Sequence, residues 1–213
     1  MDAYRWQSKV YDTVLEPLNA PVRAKALRLW PPQPGSVVLD AACGTGAALA
    51  DYRDAGCQVL GADPSPAMLA QARQRLGPDA DLRRTIGERL PVDTAAADLV
   101  LLALVLHSIP REEALQLLAE SQRALRPGGR ILVTDFGVGP LKPPRGHASR
   151  GLTAVAELLA GPRHASNCVR YLRAGGLPAL AAESGLRDVA SHPTAGGNLT
   201  LTMLAAAGRD ASA

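Results

Sequence analysis

Apolar residues along this chain occur in short uninterrupted runs, separated by segments with helical spacing. Residues 36–41 and 57–63 are two such runs, and an apolar run without alternation is typical of a strand buried on both faces of a sheet. Ser65 and Pro66 suit the N-cap and first position of the helix that follows, and Gly77 suits its end. Strand and helix in alternation predict a parallel sheet covered by helices on both faces.

The alternation continues to about residue 136. Further strands are predicted at residues 82–86, 98–104 and 130–136. Acidic residues in the first turn and arginines near the end mark a helix before the last of these strands, and Pro127-Gly128-Gly129 is expected to stop it.

The C-terminal third follows a different pattern. Residues 137–151 form a Pro/Gly-rich segment, which predicts a long loop of the kind that often binds ligands. Residues 186–191 and 199–205 are strand-like and joined by turn residues, so we expect a hairpin with an antiparallel last strand. Helices are predicted between loop and hairpin, at about residues 152–160, 165–174 and 178–185.

A carboxylate precedes a glycine turn at the end of the first predicted strand. In VVLDAACGTG, Asp40 stands before Gly44 and Gly46, and two such glycines let a backbone turn tightly and approach a ligand. A phosphate would avoid the acid, so the ligand is expected to carry hydroxyls or a positive charge. Asp63 ends the second strand, where a carboxylate can bind the vicinal hydroxyls of a ribose.

Two familiar nucleotide loops fit this turn poorly. The dinucleotide fingerprint requires a third glycine where Leu49 stands, which makes a nucleotide-dependent dehydrogenase the weakest interpretation. A P-loop is excluded because no Gly-Lys-Ser/Thr follows. A ribose with a cationic group and no phosphate fits better, and S-adenosylmethionine (SAM) has that chemistry.

The sequence resembles the class I SAM-dependent methyltransferases in four motifs, which are VVLDAACGTG, GADPSPAML, GERLPVDTAAADLVLLALVLHSIP and ALRPGGRILVTDF. Within that class it is most similar to the ubiquinone/menaquinone-biosynthesis and small-lipid branch. The resemblance implies a doubly wound, Rossmann-like α/β sheet of seven strands in the order 3-2-1-4-5-7-6, mostly parallel with an antiparallel last strand. It also implies one domain over residues 1–213, with a helical N-terminal lid at about 1–30 and a cap or loop insertion at about 137–185.

The resemblance also assigns residues to the cofactor. It places the turn after the first strand around the methionine part of SAM, Asp63 on the ribose, and the segment after the third strand at the adenine edge. Many relatives have Asp where Ile86 stands, so the adenine amino group is left to backbone, water or Glu88. The expected SAM-binding residues are Tyr11, Asp40, Ala41, Gly44, Thr45, Gly46, Asp63, Pro64, Met68, Ile86, Gly87, Glu88 and Leu104.

Catalytic candidates follow from the needs of methyl transfer. The reaction depends on alignment of the acceptor, and a base matters only when the acceptor must lose a proton. His107, just past the fourth strand, and His147, in the long loop, are the candidate bases, and Asp135 is expected to face the acceptor. A structural role for His107, as a loop or helix cap, remains open. His164 and His192 receive no role, and no metal is expected.

Composition limits the partners. The chain is 47% hydrophobic with a net charge of +3 and no dense Lys/Arg cluster, so nucleic acid is not expected as a partner. Cys43, Cys57 and Cys168 follow no metal-binding spacing, which predicts reduced thiols. A polar N-terminus and the lack of a long apolar run predict a cytoplasmic monomer or homodimer. Arginines between residues 137 and 185 leave peripheral contact with a membrane surface open.

The sequence therefore predicts a SAM-dependent methyltransferase acting on a small, fairly apolar acceptor such as a quinone precursor, lipid or secondary metabolite, with S-adenosylhomocysteine as product. The alternative is a non-catalytic SAM-binding sensor or scaffold of the same fold.

Overall fold

The computed structural model describes residues 16–87 and 89–206. Its helices are α1 (Glu16–Leu29), α2 (Ala47–Asp54), α3 (Pro66–Leu76), α4 (Arg111–Ala124), α5 (Arg145–Ala160), α6 (Pro162–Arg173) and α7 (Gly176–Glu183). Its strands are β1 (Val37–Asp40), β2 (Gln58–Asp63), β3 (Asp81–Arg84), β4 (Ala97–Ala103), β5 (Leu125–Phe136), β6 (Leu186–Thr194) and β7 (Leu199–Ala206).

The seven strands form a sheet in the order β3-β2-β1-β4-β5-β7-β6. β1 pairs in parallel with β2 and β4, and β2 pairs in parallel with β3. β7 is antiparallel to both β5 and β6. The predicted fold class and strand order are confirmed.

Residues pack into two compact units. In the described chain, the first consists of residues 16–87, 89–101 and 123–129. Its sheet buries Val38, Leu39 and Leu99 with no exposed surface, and α2 contributes Leu49 to the same core. Apolar burial on this scale is the main favourable term in folding. It fixes the carboxyl ends of β1 and β2, which carry the predicted ligand residues.

The second unit contains residues 102–122 and 130–206 of the described chain. Its core includes Ile131 and Leu201 from neighbouring strands and Leu180 from α7. The hairpin of β6 and β7 is tied to α5 by buried Asn198, whose Nδ2 donates to Ser149 Oγ at 2.9 Å.

Two predicted boundaries are wrong. α4 ends at Ala124 instead of at Pro127-Gly128-Gly129, and β5 begins at Leu125. Arg126 Nη1, in this extended stretch, lies 2.8 Å from Asp98 Oδ2 near the start of β4.

The predicted loop at residues 137–151 is half helix, because α5 begins at Arg145. Pro144 stands at the N-cap with helical backbone angles, and proline's fixed φ favours a helix start. Gly146 is required there, since a Cβ would lie 2.3 Å from the carbonyl oxygen of Gly196. His147 consequently lies in the first turn of α5, not in a loop.

The one-domain organisation remains a prediction. Of the N-terminal lid expected at about 1–30, only α1 falls within the described residues, and the expected cap contains α5, α6 and α7.

Candidate functional site

Asp40 is the last residue of β1 and is almost fully buried. Its Oδ1 accepts a hydrogen bond from the backbone N–H of Ala42 at 3.2 Å. Burial raises the pKa of Asp40 to about 7; the bond from Ala42 opposes the rise, and the charge of Asp63 adds to it. A cation bound beside this carboxyl would favour its ionised form.

Asp63 is the last residue of β2, and its carboxylate holds two backbone segments. Oδ2 accepts from Gly44 N at 2.9 Å, and Oδ1 accepts from Ser65 N at 2.8 Å. Ser65 is the N-cap of α3, where its Oγ accepts from Met68 N, as the sequence predicts. Asp63 thus links the glycine turn after β1 to the start of α3, and both predicted acids lie at carboxyl ends of paired strands.

The two glycines of the turn have different environments. Gly44 has φ +51° and a Cβ there would meet nothing within 4 Å, so its backbone borders open space. Gly46 has φ +76°, and a Cβ there would lie 3.0 Å from Leu76 Cδ1 and 3.2 Å from Ala72 Cβ. Gly44 therefore allows a ligand to approach the backbone, whereas Gly46 allows α3 to pack against the turn.

Arg75 holds the turn from α3. Its Nη1 donates to the backbone oxygen of Thr45 at 2.8 Å and to Thr45 Oγ1 at 2.7 Å. The sequence analysis missed this residue, because nothing local in the sequence relates an arginine near the end of α3 to the glycine turn.

Other predicted cofactor residues are less uniformly placed. Ile86 is 78% exposed, whereas Met68 is buried in α3. The remaining positions are buried Ala41, exposed Pro64, exposed Gly87 with φ +74°, and half-buried Leu104, which belongs to the second unit and has φ +55°. Tyr11 and Glu88 lie outside the described residues.

The chemistry of this first-unit site fits SAM. Carboxylates accept hydrogen bonds from hydroxyl and ammonium groups and repel phosphate. Asp40, buried with a raised pKa, suits a positively charged group, and Gly44 leaves room beside the backbone.

A second group of polar side chains lies within the second unit, around His107. This histidine is 2% exposed, and its Nδ1 lies 2.6 Å from Asp135 Oδ1. Asp135 is also held by backbone N–H groups, since Oδ2 accepts from Leu106 and His107 and Oδ1 accepts from Phe136. These bonds fix the orientation of the imidazole ring, and Phe136 packs against it at 4.4 Å between centroids.

Glu157 and His164 complete this group. Glu157 Oε1, from α5, lies 3.4 Å from His107 Nε2, and its Oε2 lies 3.1 Å from His164 Nε2 of α6. Both nitrogens of His107 thus face a carboxylate. Glu157 and His164 lie close together because α6 begins two residues after α5 ends, and His107 reaches them from the segment after β4.

The carboxylates favour a positive charge on His107. Burial alone would lower its pKa, but Asp135 and Glu157 outweigh burial and raise it to about 9. Burial would likewise raise the pKa of Glu157, yet the two histidines bring it down to about 2. The group therefore stabilises cationic charge between its carboxylates.

His107 and Asp135 are thus brought into contact, while exposed His147 takes no part in this group. Glu157 and His164 were missed by sequence reasoning. They fall on different helices with a Gly161-Pro162 break between them, so no helical spacing connects them.

Comparisons with known proteins show similarity in the fold and in the segment that contains Asp40 and the glycine turn. Residues 38–129 match the family model of a methyltransferase domain. A demethylmenaquinone methyltransferase of Beutenbergia cavernae is 36% identical over 111 residues, covering 52% of this chain and 45% of that protein. A malonyl-[acyl-carrier protein] O-methyltransferase of Serratia marcescens is 36% identical over 125 residues, covering 59% and 48%.

Among solved structures, a SAM-dependent methyltransferase from Aquifex aeolicus shares the fold with a TM-score of 0.56 and 17% identity, covering 85% of this chain and 88% of that one. The chain is therefore similar to methyltransferase domains in the sequence of residues 38–129 and to a SAM-dependent methyltransferase in its fold. The matched region spans about half the length of the curated relatives.

Across the described residues, no helix is both long enough and apolar enough to cross a membrane.

Proposed function

We propose that this chain transfers a methyl group from SAM to a small, fairly apolar acceptor. The observation that carries the proposal is the pairing of buried Asp40 with Asp63 at an open glycine turn. SAM supplies a methyl group on a positively charged sulfur, which a nucleophile can take directly. The protein's contribution is then to bind, align and exclude water.

Each residue of the first-unit site has a proposed part. Asp40 stabilises the positive charge of the methionine portion, and Asp63 accepts hydrogen bonds from the ribose hydroxyls. Gly44 lets the ligand reach the backbone, and Arg75 keeps Thr45 in place. The remaining proposed cofactor residues, whose contacts stay predictions, are Tyr11, Ala41, Gly46, Pro64, Met68, Ile86, Gly87, Glu88 and Leu104.

The apolar character of the acceptor is supported by α5. Four aliphatic residues of this helix are exposed by 53–80%, namely Leu152, Val155, Leu158 and Leu159. Exposed apolar patches often mark binding surfaces. The names of the two curated relatives refer to demethylmenaquinone and to a malonyl group on an acyl-carrier protein. A quinol-like or acyl acceptor is therefore the proposed class.

An acceptor that must lose a proton before methylation needs a group that can take this proton. Each ring nitrogen of His107 lies near a carboxylate, and the pKa of the imidazole is about 9. At neutral pH the imidazole is therefore cationic, with a proton on both nitrogens. It can act as a base only after losing one. The roles of His107 and His147 as bases and the contact of Asp135 with the acceptor stay predictions. An acceptor that is already ionised at neutral pH, such as a carboxylate, removes the need for a base, whereas a quinol hydroxyl must still lose its proton.

Both ring nitrogens of His107 lie near carboxylates. This also favours the second candidate function, a SAM-binding sensor or scaffold that performs no methyl transfer. Incubation with methyl-labelled SAM and a panel of quinols, phenols, carboxylates and amines separates the two. Methylation of any acceptor above the no-enzyme rate excludes the sensor.

Calorimetric titration with S-adenosylhomocysteine and SAM tests the cofactor site. We expect binding of the wild-type chain and a loss of at least about tenfold in Asp63→Asn, since a carboxylate hydrogen bond contributes about 1.5–3 kcal/mol. Asp79→Asn, on the exposed turn before β3, is the matched control and should bind as wild type. Absence of binding by the folded wild-type chain at millimolar ligand would reject the proposal.

A further inference from the structure

Three side chains of the second unit offer donor atoms that converge on one point. His107 Nε2, a carboxylate oxygen of Glu157 and His164 Nε2 all lie within 4.8 Å of one another. The carboxylate lies between the two imidazoles, at 3.4 Å from His107 and 3.1 Å from His164. Two imidazole nitrogens and one carboxylate are a donor set that proteins use for Zn²⁺ with an open fourth position.

A carboxylate behind a ligand histidine is a regular feature of metal sites, because it fixes the tautomer and turns the other nitrogen toward the metal. Asp135 stands in that position, 2.6 Å from His107 Nδ1. Its own oxygens accept three backbone hydrogen bonds, so the orienting group is itself rigidly held. Nε2 of His107 is thereby directed to Glu157 and His164.

The local charge also suits a divalent cation. Asp135 and Glu157 bring two negative charges, and two neutral imidazoles with one M²⁺ ion would balance them. The guanidinium of Arg150 lies over Phe136 at 5.7 Å and donates to the backbone oxygen of Gly137, not to either carboxylate.

The three proposed ligand side chains differ in their exposure to solvent. The side chain of His107 is 3% exposed, whereas those of Glu157 and His164 are 14% and 22% exposed. An ion can therefore reach the donors from the side of α5 and α6.

We propose that His107, Glu157 and His164 bind one divalent transition-metal ion, with Zn²⁺ the best match to the donors and Asp135 as the positioning residue for His107. This proposal replaces the expectation from sequence that no metal is bound. The sequence holds no sign of the site, since its ligands come from three separate segments with none of the usual short spacings between metal ligands.

The test uses the full chain after removal of metal with a chelator, followed by calorimetric titration with Zn²⁺ and absorption spectroscopy with Co²⁺. We expect one Zn²⁺ per chain and the visible bands of four-coordinate Co²⁺. Both should be lost in Glu157→Gln and in His164→Gln, with far-UV circular dichroism unchanged because these side chains are partly exposed. Asp135→Asn should retain binding at roughly 10- to 100-fold lower affinity.

His192→Gln is the matched control, because His192 lies on β6 and makes no contact with the group in the described structure. It should bind Zn²⁺ as wild type does. Failure of the folded wild-type chain to bind Zn²⁺, or equal binding by Glu157→Gln and His164→Gln, would overturn the proposal. The readouts do not depend on SAM, so they stand apart from the methyltransferase assay.

Discussion

The carboxylate of Asp63 accepts a hydrogen bond from the backbone N–H of Gly44 at 2.9 Å, joining the end of β2 to the turn after β1. Gly44 has φ +51°, and a Cβ at this position would point into open space. The bond therefore holds the backbone in a conformation that most residues disfavour. The acid therefore has a structural part in shaping the turn as well as its proposed part in binding ribose.

Alanine substitutions at Gly44 and Gly46 should separate an effect on stability from an effect on SAM affinity. A positive φ costs an L-residue about 1–2 kcal/mol, so both variants are destabilised. Gly46→Ala should lose more than Gly44→Ala, because only its methyl group meets Leu76 and Ala72 at 3.0 and 3.2 Å. Gly44→Ala should instead lose SAM affinity, since its methyl group enters the open space. Thermal denaturation and calorimetry measure the two effects; equal loss of stability in both would contradict this account.

Asp40 predicts a pH dependence of stability. Its pKa is about 7 in the folded chain against 3.8 as the ordinary value, so the protonated form is stabilised by folding. The contribution, roughly 4 kcal/mol, is complete below pH 3.8 and is lost as pH rises to 7. The unfolding free energy of wild type relative to Asp40→Asn should therefore fall between pH 4.5 and 8. A difference that stays constant with pH would show that the carboxyl titrates normally.

The same acid predicts proton release on binding. A cationic ligand stabilises the ionised form of Asp40 and lowers its pKa, so SAM binding near pH 7 should release part of a proton. Calorimetry in buffers of different ionisation enthalpy detects this release. Asp40→Asn should show none and should bind more weakly, and an unchanged release in that variant would assign the proton to another group.

What the sequence could predict was local in origin. Asp40 and Asp63 stand at the ends of apolar runs, and parallel strands bring such ends to one edge of a sheet. Ser65 and Pro66 carry a helix start in two adjacent residues. The strand order came from resemblance to a family and not from these patterns.

What could not be predicted depends on long side chains or on contacts between distant segments. Arg75 reaches Thr45 from the far end of α3, and the pairing of Glu157 with His107 depends on how α5 packs. Likewise, Arg126 pairs with Asp98 from a distant part of the chain, and the glycines after Arg126 did not indicate that β5 begins at Leu125.

Substitution of Arg75 tests how far the glycine turn depends on the two hydrogen bonds from this side chain to Thr45. Arg75→Met keeps much of the side chain's volume and removes both hydrogen bonds to Thr45. Each bond to a charged donor contributes about 1.5–3 kcal/mol, so we expect lower thermal stability and weaker SAM binding. Arg111→Met, whose side chain at the start of α4 pairs with exposed Glu183, is the control. If Arg75→Met bound SAM as tightly as wild type, the turn would not need this support.

The apolar surface of α5 can be tested once an acceptor has been found. Leu158 and Leu159 are 69% and 80% exposed, so Leu158→Gln and Leu159→Gln should change the free energy of unfolding by less than about 0.5 kcal/mol. Burial of one such side chain against an apolar acceptor contributes about 1.5–3 kcal/mol. We therefore expect KM for the acceptor to rise roughly tenfold or more with kcat preserved, as when binding common to substrate and transition state is removed. Val189→Gln, an exposed aliphatic position on β6, should leave KM unchanged, and an unaltered KM in both leucine variants would show that the acceptor does not bind this surface.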